Sequence, residues 1–368
     1  MVVSWKIPIF VSDMVISAFF IGVSTAFFAI FAVHILCFRR RRTRFQTVLG
    51  CIMAVWAVWS LKDLLLTFPG MYRSDVLDWV LMVDGWSALT YTVFVAEAVK
   101  PGWVTARRLL ALALPFAAFT AVYACWPRHE VVWAYVLFLW CYAWTVVIVG
   151  FWQVRRYILY VRANYSNIDH IDVSWMIPVF IFAVVSQLSW LVTSVYATQT
   201  GDVVYYVSAI LLWLMVLYSS WEYRPITVVE EAPTESETDS SRQVLQPKGP
   251  SPSLADGLLE RVVDEQQLYL NPNLTLQDLA QALKSNRTYV SNYLSQSRGQ
   301  TFYDYINQLR IERVSLPMMQ RHPEYKLEHV ARESGFASIS TFRRAFIKQT
   351  GQTPGQYESL SAKMSDAK

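Results

Sequence analysis

Charged side chains are scarce in this sequence. Asp, Glu, Lys and Arg make up 16% of its 368 residues, whereas soluble domains usually carry about 25%. The shortage is confined to one part of the chain, because residues 1–224 hold 27 charged residues and residues 254–368 hold 26. Tryptophan has the opposite distribution, since all 15 lie between Trp5 and Trp221. This composition excludes a single soluble globular domain and a disordered chain, and it predicts two parts built for different solvents.

Cysteine is also scarce, and the four that occur form no C-x-x-C pair and have no histidine cluster near them. Metal sites need such spacing, and all four cysteines lie in apolar stretches, so we expect free thiols in apolar surroundings, no metal site and no disulfide-rich secreted fold. The motifs of zinc peptidases, serine hydrolases and P-loop nucleotide-binding proteins are absent as well. The sequence therefore predicts a protein that is not an enzyme and uses no cofactor.

Long apolar runs dominate residues 1–224. A helix needs about 20 apolar residues to cross a bilayer, and seven stretches come close to that length. They are 14–38, 47–68, 76–99, 109–126, 131–152, 175–198 and 204–221. The first is too long for a cleavable signal peptide, and its basic cluster follows the apolar run, so we expect it to be retained. A membrane domain of seven helices is predicted.

The basic residues indicate how these spans are oriented. Counted over alternate connections, twelve Lys and Arg lie on one side, and only Lys6, Arg73 and Arg128 lie on the other. Because cytoplasmic connections carry an excess of Lys and Arg, the N-terminus is predicted outside and the chain after Arg224 in the cytoplasm. An odd number of spans agrees with this orientation.

Three ionisable residues lie well inside the apolar runs, whereas His34 and Glu97 lie close to the inner ends of theirs. Lys62 and Asp63 lie in the second predicted span and Asp84 in the third, at a similar depth of about 8–10 Å below the outer surface if each residue rises 1.5 Å. Adjacent helical residues point about 100° apart, so only one of the first two can face Asp84, and opposite charge favours Lys62. A structural ion pair, a polar site for an effector from outside, and a path for ions or protons stay open.

Two connections differ from the rest. Most loops between the spans are short, but residues 153–174 form one of about 22 residues. The loops leave no room for a sensor domain outside the membrane, so any sensing must be done by the spans themselves. Residues 225–253 contain five Pro, many Ser, Thr and Glu, and no aromatic residue. Such a segment buries too little apolar surface to fold, and as a coil it spans roughly 30 Å. We expect a disordered linker that tethers residues 254–368 to the inner membrane face.

Short amphipathic helices are predicted after this linker. In NLTLQDLAQALKSNRTYVSNYL, Thr275 precedes a helix that carries Asp278 three residues on, as in a capping box. A break at Lys284–Arg287 leads into a second helix. Helix, tight turn and helix is the arrangement of a helix-turn-helix unit.

The same pattern returns after a long helix that contains FYDYINQLRIERV. A short helix begins near Leu327, Gly335 can take the positive φ that ends it, and Ser338 opens another helix. Phe342 and Phe346 recur at i, i+4 and are expected to bury that last helix. Two helix-turn-helix units joined by one helix are therefore predicted.

These motifs resemble those of a known family. The segment GFASISTFRRAF (Gly335–Phe346), followed by Lys348, Gly351, Thr353-Pro354 and Tyr357, resembles the signature of AraC/XylS-type transcription regulators. Asn307–Arg313 resembles that family's linker helix, and LTLQDLAQAL…NRTYVSNYL resembles its first helix-turn-helix. The resemblance covers roughly residues 260–358. It implies a seven-helix domain whose two recognition helices enter successive major-groove segments of double-stranded DNA.

The resemblance also implies which side chains face DNA. They are Arg287, Thr288, Ser291, Asn292, Ser340, Thr341, Arg343, Arg344 and Lys348. Eleven Lys and Arg against five Asp and Glu between Lys284 and Lys348 suit contact with phosphates. Tyr289 and Tyr293 are expected to pack in the core. Pro317 departs from the family's pattern, since it falls where helix interior is expected and predicts a kink or an end there.

These observations predict an all-α protein with a seven-helix membrane domain (1–224), a linker (225–253) and a cytoplasmic seven-helix AraC-type double helix-turn-helix domain (254–368). The predicted function is a bacterial one-component transcription regulator of the inner membrane. Its partners would be double-stranded DNA, the lipid bilayer, a small-molecule effector and a second copy of the chain. A transporter or channel with a regulatory DNA-binding tail, and a passively anchored regulator, are the alternatives.

Overall fold

The computed structural model describes residues 9–39, 42–66, 74–185, 199–221, 223–224 and 257–359. Within these ranges the chain is helical and forms no strand, apart from one antiparallel bridge between Tyr165 and Thr275. The predicted all-α class is confirmed. Two compact units are formed, one by 1–157 with 173–228 and the other by 158–172 with 229–368. The linker predicted over 225–253 lies outside the described residues, and the domain boundaries stay predictions.

The first unit consists of apolar helices. They are α1 (Ile9–Val33, continued by a π-helical turn over His34–Phe38), α2 (Arg44–Leu66), α3 (Ser74–Asp84), α4 (Ala88–Val99), α5 (Ala106–Cys125), α6 (His129–Asn164), α7 (Met176–Val185) and α8 (Gln199–Ser220). A 3-10 turn, Gly85–Ser87, joins α3 to α4.

Six helices in the described part of the chain are long and apolar enough to cross a membrane. Five are α1, α2, α5, α6 and α8, and the sixth runs through α3 and α4 over Asp78–Val99. They match six of the seven predicted spans. The remaining one, predicted over 175–198, is described only as far as Val185, and 186–198 lie outside the described residues.

Helix α6 is longer than its predicted span of 131–152. It has 36 residues, or about 54 Å at 1.5 Å per residue, whereas the hydrocarbon core of a bilayer is about 30 Å thick. The residues after 152 include no Gly or Pro before Asn164, so nothing in the local sequence ends the helix where the apolar run ends. Its last residues, from 158, belong to the second unit.

An ion pair between a buried carboxylate and an exposed arginine joins α4 to α2. Glu97 is completely buried, and its Oε1 accepts hydrogen bonds from Arg44 Nε at 2.8 Å and from the backbone N–H of Gly102 at 3.1 Å. A buried carboxylate is costly unless a cation and donors compensate it. These contacts therefore pin the end of α4 to the start of α2.

The second unit contains short helices, as predicted. They are α9 (Leu258–Glu265), α10 (Leu276–Ala282), α11 (Arg287–Ser297), α12 (Phe302–Leu309), α13 (Leu316–Arg321), α14 (Leu327–Glu333), α15 (Ile339–Thr350) and α16 (354–359). One apolar core is built around Leu279, Val290, Leu294 and Ile306. A second is built around Ile311, Val330, Phe342 and Phe346.

Pro317 does not end the connecting helix. Between α12 and α13 the chain forms a π-helical segment, Arg310–Ser315, in which the backbone N–H of Leu316 donates to the carbonyl of Ile311, five residues back. Both Ser315 and Leu316 keep right-handed helical angles, and Pro317 falls in the first turn of α13, where a missing N–H costs little. The chain stays helical through Pro317 as far as Arg321 by way of the π turn, so the helix does not end at the proline.

Candidate DNA-binding surface

The first helix-turn-helix unit is built from α10 and α11. Thr275 Oγ1 accepts from the backbone N–H of Asp278 at 3.2 Å, and Asp278 Oδ2 accepts from the N–H of Thr275 at 2.9 Å, which completes the predicted capping box. Lys284 takes a positive φ of 50° in the turn. Asn286 then caps α11 by accepting from the N–H of Tyr289 at 2.9 Å.

The second helix-turn-helix unit, built from α14 and α15, repeats this turn. Gly335 has a φ of 83° and corresponds to Lys284, because it lies 51 residues later and the same offset relates the hydrogen-bonded residues of the two turns. The next residue in each turn donates its N–H to a carbonyl five residues back: Ser285 to Ala280 at 2.9 Å, and Phe336 to Ala331 at 3.0 Å. Ser338 caps α15 by accepting from the N–H of Thr341 at 3.2 Å. The predicted repeat is therefore present in the backbone.

The nine residues predicted to face DNA differ in exposure. Thr288, Asn292, Ser340, Arg343, Arg344 and Lys348 are exposed, and Arg287 and Ser291 are half-buried. Thr341 is only 2% exposed, although it was predicted on the reading face. Tyr289 and Tyr293 pack against the core, as expected.

Two of the exposed cations are already paired with acidic groups. Lys348 Nζ lies 2.7 Å from Asp304 Oδ1, and Arg344 Nη2 lies 3.4 Å from Asp169 Oδ1 and 3.1 Å from Thr341 Oγ1. Exposed ion pairs of this kind contribute at most about 1 kcal/mol. Each pair can therefore open when a phosphate competes for the cation.

Arg310 lies between the two cores and is 1% exposed. Its guanidinium donates to the carbonyls of Tyr269 and Asn271, both at 2.7 Å, and to Asn307 Oδ1 at 3.0 Å. It also lies 5.4 Å from the ring centroid of Phe336. Burial lowers the pKa of Arg310 to about 10, so the group stays charged at neutral pH. Arg310 thus joins the segment that precedes α10, through the carbonyls of Tyr269 and Asn271, to the turn of the second helix-turn-helix unit, through the ring of Phe336.

Sequence reasoning missed the contribution of residues 158–172. Ser166 is completely buried, its N–H donates to the carbonyl of Leu274 at 3.1 Å, and Asp169 accepts from the hydroxyl of Thr341. The signal in the sequence was the length of the 153–174 connection, the longest between the predicted spans. Nothing in its composition pointed to the helix-turn-helix units.

A polar cluster lies in the first unit where the sequence predicted it. Lys62 Nζ lies 2.7 Å from Asp84 Oδ1 and also contacts Asp63, so the expected pairing with Asp84 is present. Tyr206 adds a hydroxyl that donates to Asp63 Oδ2. Tyr206 was missed because a tyrosine in an apolar run carries no sign of its partner.

A cavity of about 220 Å³ lies beside this cluster. Its wall includes Asp84, the hydroxyl-bearing Tyr91, Tyr142 and Tyr205, and the rings of Trp56 and Trp213. Trp213 stacks on Tyr91 with ring centroids 6.0 Å apart. An apolar cavity of about 150 Å³ already accepts benzene, so this one has room for a small organic molecule.

Two helix-turn-helix units on one connecting helix define a DNA-binding fold, in which the second helix of each unit serves as the recognition helix. The comparisons with known proteins agree: the profile of a family described as a helix-turn-helix domain matches residues 279–359. The C-terminal part of the chain thus carries a helix-turn-helix domain of the AraC type.

The curated relatives match the same part of the chain. A protein of Staphylococcus aureus (strain COL) named as an uncharacterized HTH-type transcriptional regulator is 29% identical over 104 residues, which cover 28% of this chain and 14% of the relative. YobQ of Bacillus subtilis (strain 168), with the same description, is 32% identical over 89 residues, or 24% of this chain and 36% of the relative. The chain spans a small fraction of each relative. No solved structure matches.

Proposed function

We propose that this chain is a membrane-anchored, sequence-specific DNA-binding transcription regulator. The pair of helix-turn-helix units carries the proposal, because Arg343 and Arg344 project from α15 at the place of a recognition helix. The planar guanidinium of arginine can donate two hydrogen bonds at once, either to the edge of a guanine base or to a phosphate. The names of the relatives, HTH-type transcriptional regulators, support the same function.

Anchoring in the membrane is supported by the six long apolar helices. The excess of twelve Lys and Arg over three supports a cytoplasmic location for the basic connections, and the DNA-binding domain must be on that side to reach the chromosome. The inner membrane of a bacterium is the location that satisfies both requirements. The spans would then hold the domain close to the membrane face.

Signal reception is proposed for the first unit. The cavity has aromatic walls and a carboxylate at one end, Asp84, whose partner is Lys62. Such a site suits a small aromatic or aliphatic effector that carries one hydrogen-bonding group. Charged groups at membrane depth are costly and frequently functional, which favours this role for Lys62, Asp63 and Asp84.

Crosslinked DNA occupancy across the genome tests the DNA-binding function. The full-length protein is expected at discrete sites that disappear in Arg343→Ala with Arg344→Ala, while its amount in the membrane stays unchanged. Arg261→Ala with Arg321→Ala is the matched control, because it removes the same charge from exposed positions outside α11 and α15. Equal occupancy by the first variant and the wild type would remove α15 from DNA recognition.

Replacement of the predicted spans in 1–157 and 173–224 by unrelated spans, with residues 158–172 kept in place because they belong to the second unit, tests signal reception. If the spans receive the signal, the chimaera should bind the same sites but lose any response to growth conditions. A chimaera that keeps the full response would mean that the spans anchor the protein passively.

A further inference from the structure

The segment 158–172 follows the apolar part of α6 directly and contacts the helix-turn-helix units in two places, within the second compact unit. The first contact is made by Tyr165 and Ser166. Tyr165 forms the bridge with Thr275, and the carbonyl and hydroxyl oxygens of Ser166 accept from Arg310 at 3.4 and 3.2 Å. These bonds reach the buried side of the domain. They hold the segment without occupying the reading face.

The second contact is made by Asp169 on α15. Its Oδ1 accepts from the hydroxyl of Thr341 and lies 3.4 Å from Arg344 Nη2. The side chain of Asp169 is 14% exposed, and Thr341 beneath it is 2% exposed. Thr341 and Arg344 are two of the residues predicted to face DNA, so one carboxylate covers part of the surface that DNA would need.

The segment also lies close to the first recognition helix. Tyr165, whose pKa is raised by burial above its ordinary value, is near enough to Arg287 for that cation to oppose the rise. Arg287 is the first residue of α11. One short segment thus approaches both recognition helices.

A carboxylate and a DNA phosphate present the same chemistry to these side chains. Each offers anionic oxygens to a guanidinium and a hydroxyl, and the two cannot occupy the same donors at once. The Asp169 contact is also incompletely satisfied, because its Oδ2 is buried without a hydrogen-bond partner among the described residues. A buried acceptor left unpaired weakens the contact as a whole, which makes it displaceable.

We propose that residues 158–172 are an autoinhibitory segment, in which Asp169 occupies the DNA-reading side chains Thr341 and Arg344 and must leave before α15 binds DNA. The proposal rests on the proposed DNA-binding function. Because α6 is one helix from His129 to Asn164, a displacement of that span is transmitted along the chain to this segment. Ser166 holds the segment in place, and Asp169 forms the contact that opens.

Full-length Asp169→Ala and Asp169→Asn test this proposal by crosslinked DNA occupancy across the genome. Asp169→Ala removes the contacts with both Thr341 and Arg344, and occupancy is expected to rise by up to about fivefold over wild type, the ratio that corresponds to the loss of an ion pair of this strength. Asp169→Asn keeps the size of the side chain and should give a smaller rise, since it keeps an acceptor for Thr341. Asp172→Ala is the matched control, because it removes the same charge from the same segment.

The outcomes separate this proposal from the proposed function. If wild type occupies sites that Arg343→Ala with Arg344→Ala loses, and Asp169→Ala equals wild type, the autoinhibition is wrong and the DNA-binding function stands. If Asp169→Ala occupies more DNA sites than wild type, and combining it with Arg343→Ala and Arg344→Ala abolishes that occupancy, the autoinhibition and the DNA-binding function are both supported. No sites for wild type or for Asp169→Ala, with the protein present in the membrane, would overturn the autoinhibition. A rise for Asp172→Ala equal to that for Asp169→Ala would also overturn it, because charge alone would then be responsible.

Hydrogen exchange on the full-length protein in lipid nanodiscs provides a second readout that does not depend on a variant. A 30-base-pair duplex of arbitrary sequence at low salt is the probe, since phosphate contacts alone support its binding. The N–H groups of Ile171 and Asp172 both donate to the carbonyl of Ile168, and their exchange is expected to accelerate when DNA is added. Unchanged exchange in DNA-bound protein would show that the segment stays in place, contrary to the proposal.

Discussion

Arg310 donates to both oxygens of Ser166, to the carbonyl at 3.4 Å and to the hydroxyl at 3.2 Å, across 144 residues of chain. The same guanidinium binds the carbonyls of Tyr269 and Asn271. One buried side chain therefore joins a connection between predicted spans to the segment that precedes α10, and its contact with Phe336 extends the link to the second helix-turn-helix unit.

Arg310→Lys is expected to destabilise the DNA-binding domain by about 3 kcal/mol. An ammonium keeps the charge but cannot supply the planar fork, so at least two buried carbonyls lose their donors, at about 1–3 kcal/mol each. Arg313→Ala is the control, because Arg313 is half-exposed and pairs with Asp264 at 3.2 Å; its loss should cost at most about 1 kcal/mol. Chemical unfolding followed by circular dichroism measures both, and equal losses would contradict the role assigned to Arg310.

Gly335→Ala is expected to be more damaging than Gly299→Ala. Both glycines have positive φ, 83° and 63°, which costs an alanine about 1–2 kcal/mol. A Cβ on Gly335 would also lie 2.7 Å from the backbone oxygens of Tyr269 and Leu270, whereas one on Gly299 would meet nothing within 4 Å. Because both variants lose free energy of unfolding through the positive φ, the difference between their losses measures the steric clash at Gly335. A difference near zero would mean that the turn shifts to make room for the added methyl group.

DNA binding by the fragment 254–368 is expected to weaken as salt rises. Each phosphate contact releases a counterion and contributes about 0.9 to the slope of log affinity against log salt. Lys348→Ala should reduce that slope by about one if Lys348 leaves Asp304 for a phosphate, and Arg261→Ala should leave it unchanged. Fluorescence anisotropy with a 30-base-pair duplex measures the slopes, and a flat dependence would exclude phosphate contacts as the source of affinity.

Lys62→Met is expected to lower the amount of folded protein in the membrane, because it leaves Asp63 and Asp84 without their cation. Adding Asp84→Asn should restore much of that amount. The restored double variant then separates the two roles of the cluster: a purely structural ion pair predicts a normal regulatory response, and an effector site predicts a protein that inserts but no longer responds. Membrane yield and site occupancy are the two measurements.

The interior of the DNA-binding domain was largely predictable from local patterns. The capping box at Thr275, the positive φ at Gly335 and the cap at Ser338 are short-range features, because a cap or a turn is decided within about four residues. Pro317 shows that one local signal can have two outcomes. The missing N–H was predicted to kink or end the helix, and the helix does not end there, because a π turn over Arg310–Ser315 carries it on to Arg321.

In the first compact unit the sequence predicted the position of the charged residues along the apolar helices, so the pairing of Lys62 with Asp84 could be anticipated. It could not predict Tyr206 as a partner of Asp63, or the cavity lined by Trp56 and Trp213. Such contacts depend on how helices far apart in sequence are arranged around one another. Apolar runs specify where helices form and how long they are. They do not specify which helices pack against each other or how each helix is rotated about its own axis.

By itself, the sequence determined that this is an all-helical protein with long apolar helices and two helix-turn-helix units, because periodicity, composition and caps act over a few residues. Only the tertiary structure decided that Asp169 lies on Thr341 and Arg344, 172 and 175 residues further along the chain. A carboxylate in a polar loop is ordinary in sequence. Its role appears when folding places it on donors that belong to another segment, since a hydrogen bond requires atoms within about 3 Å and leaves no local pattern.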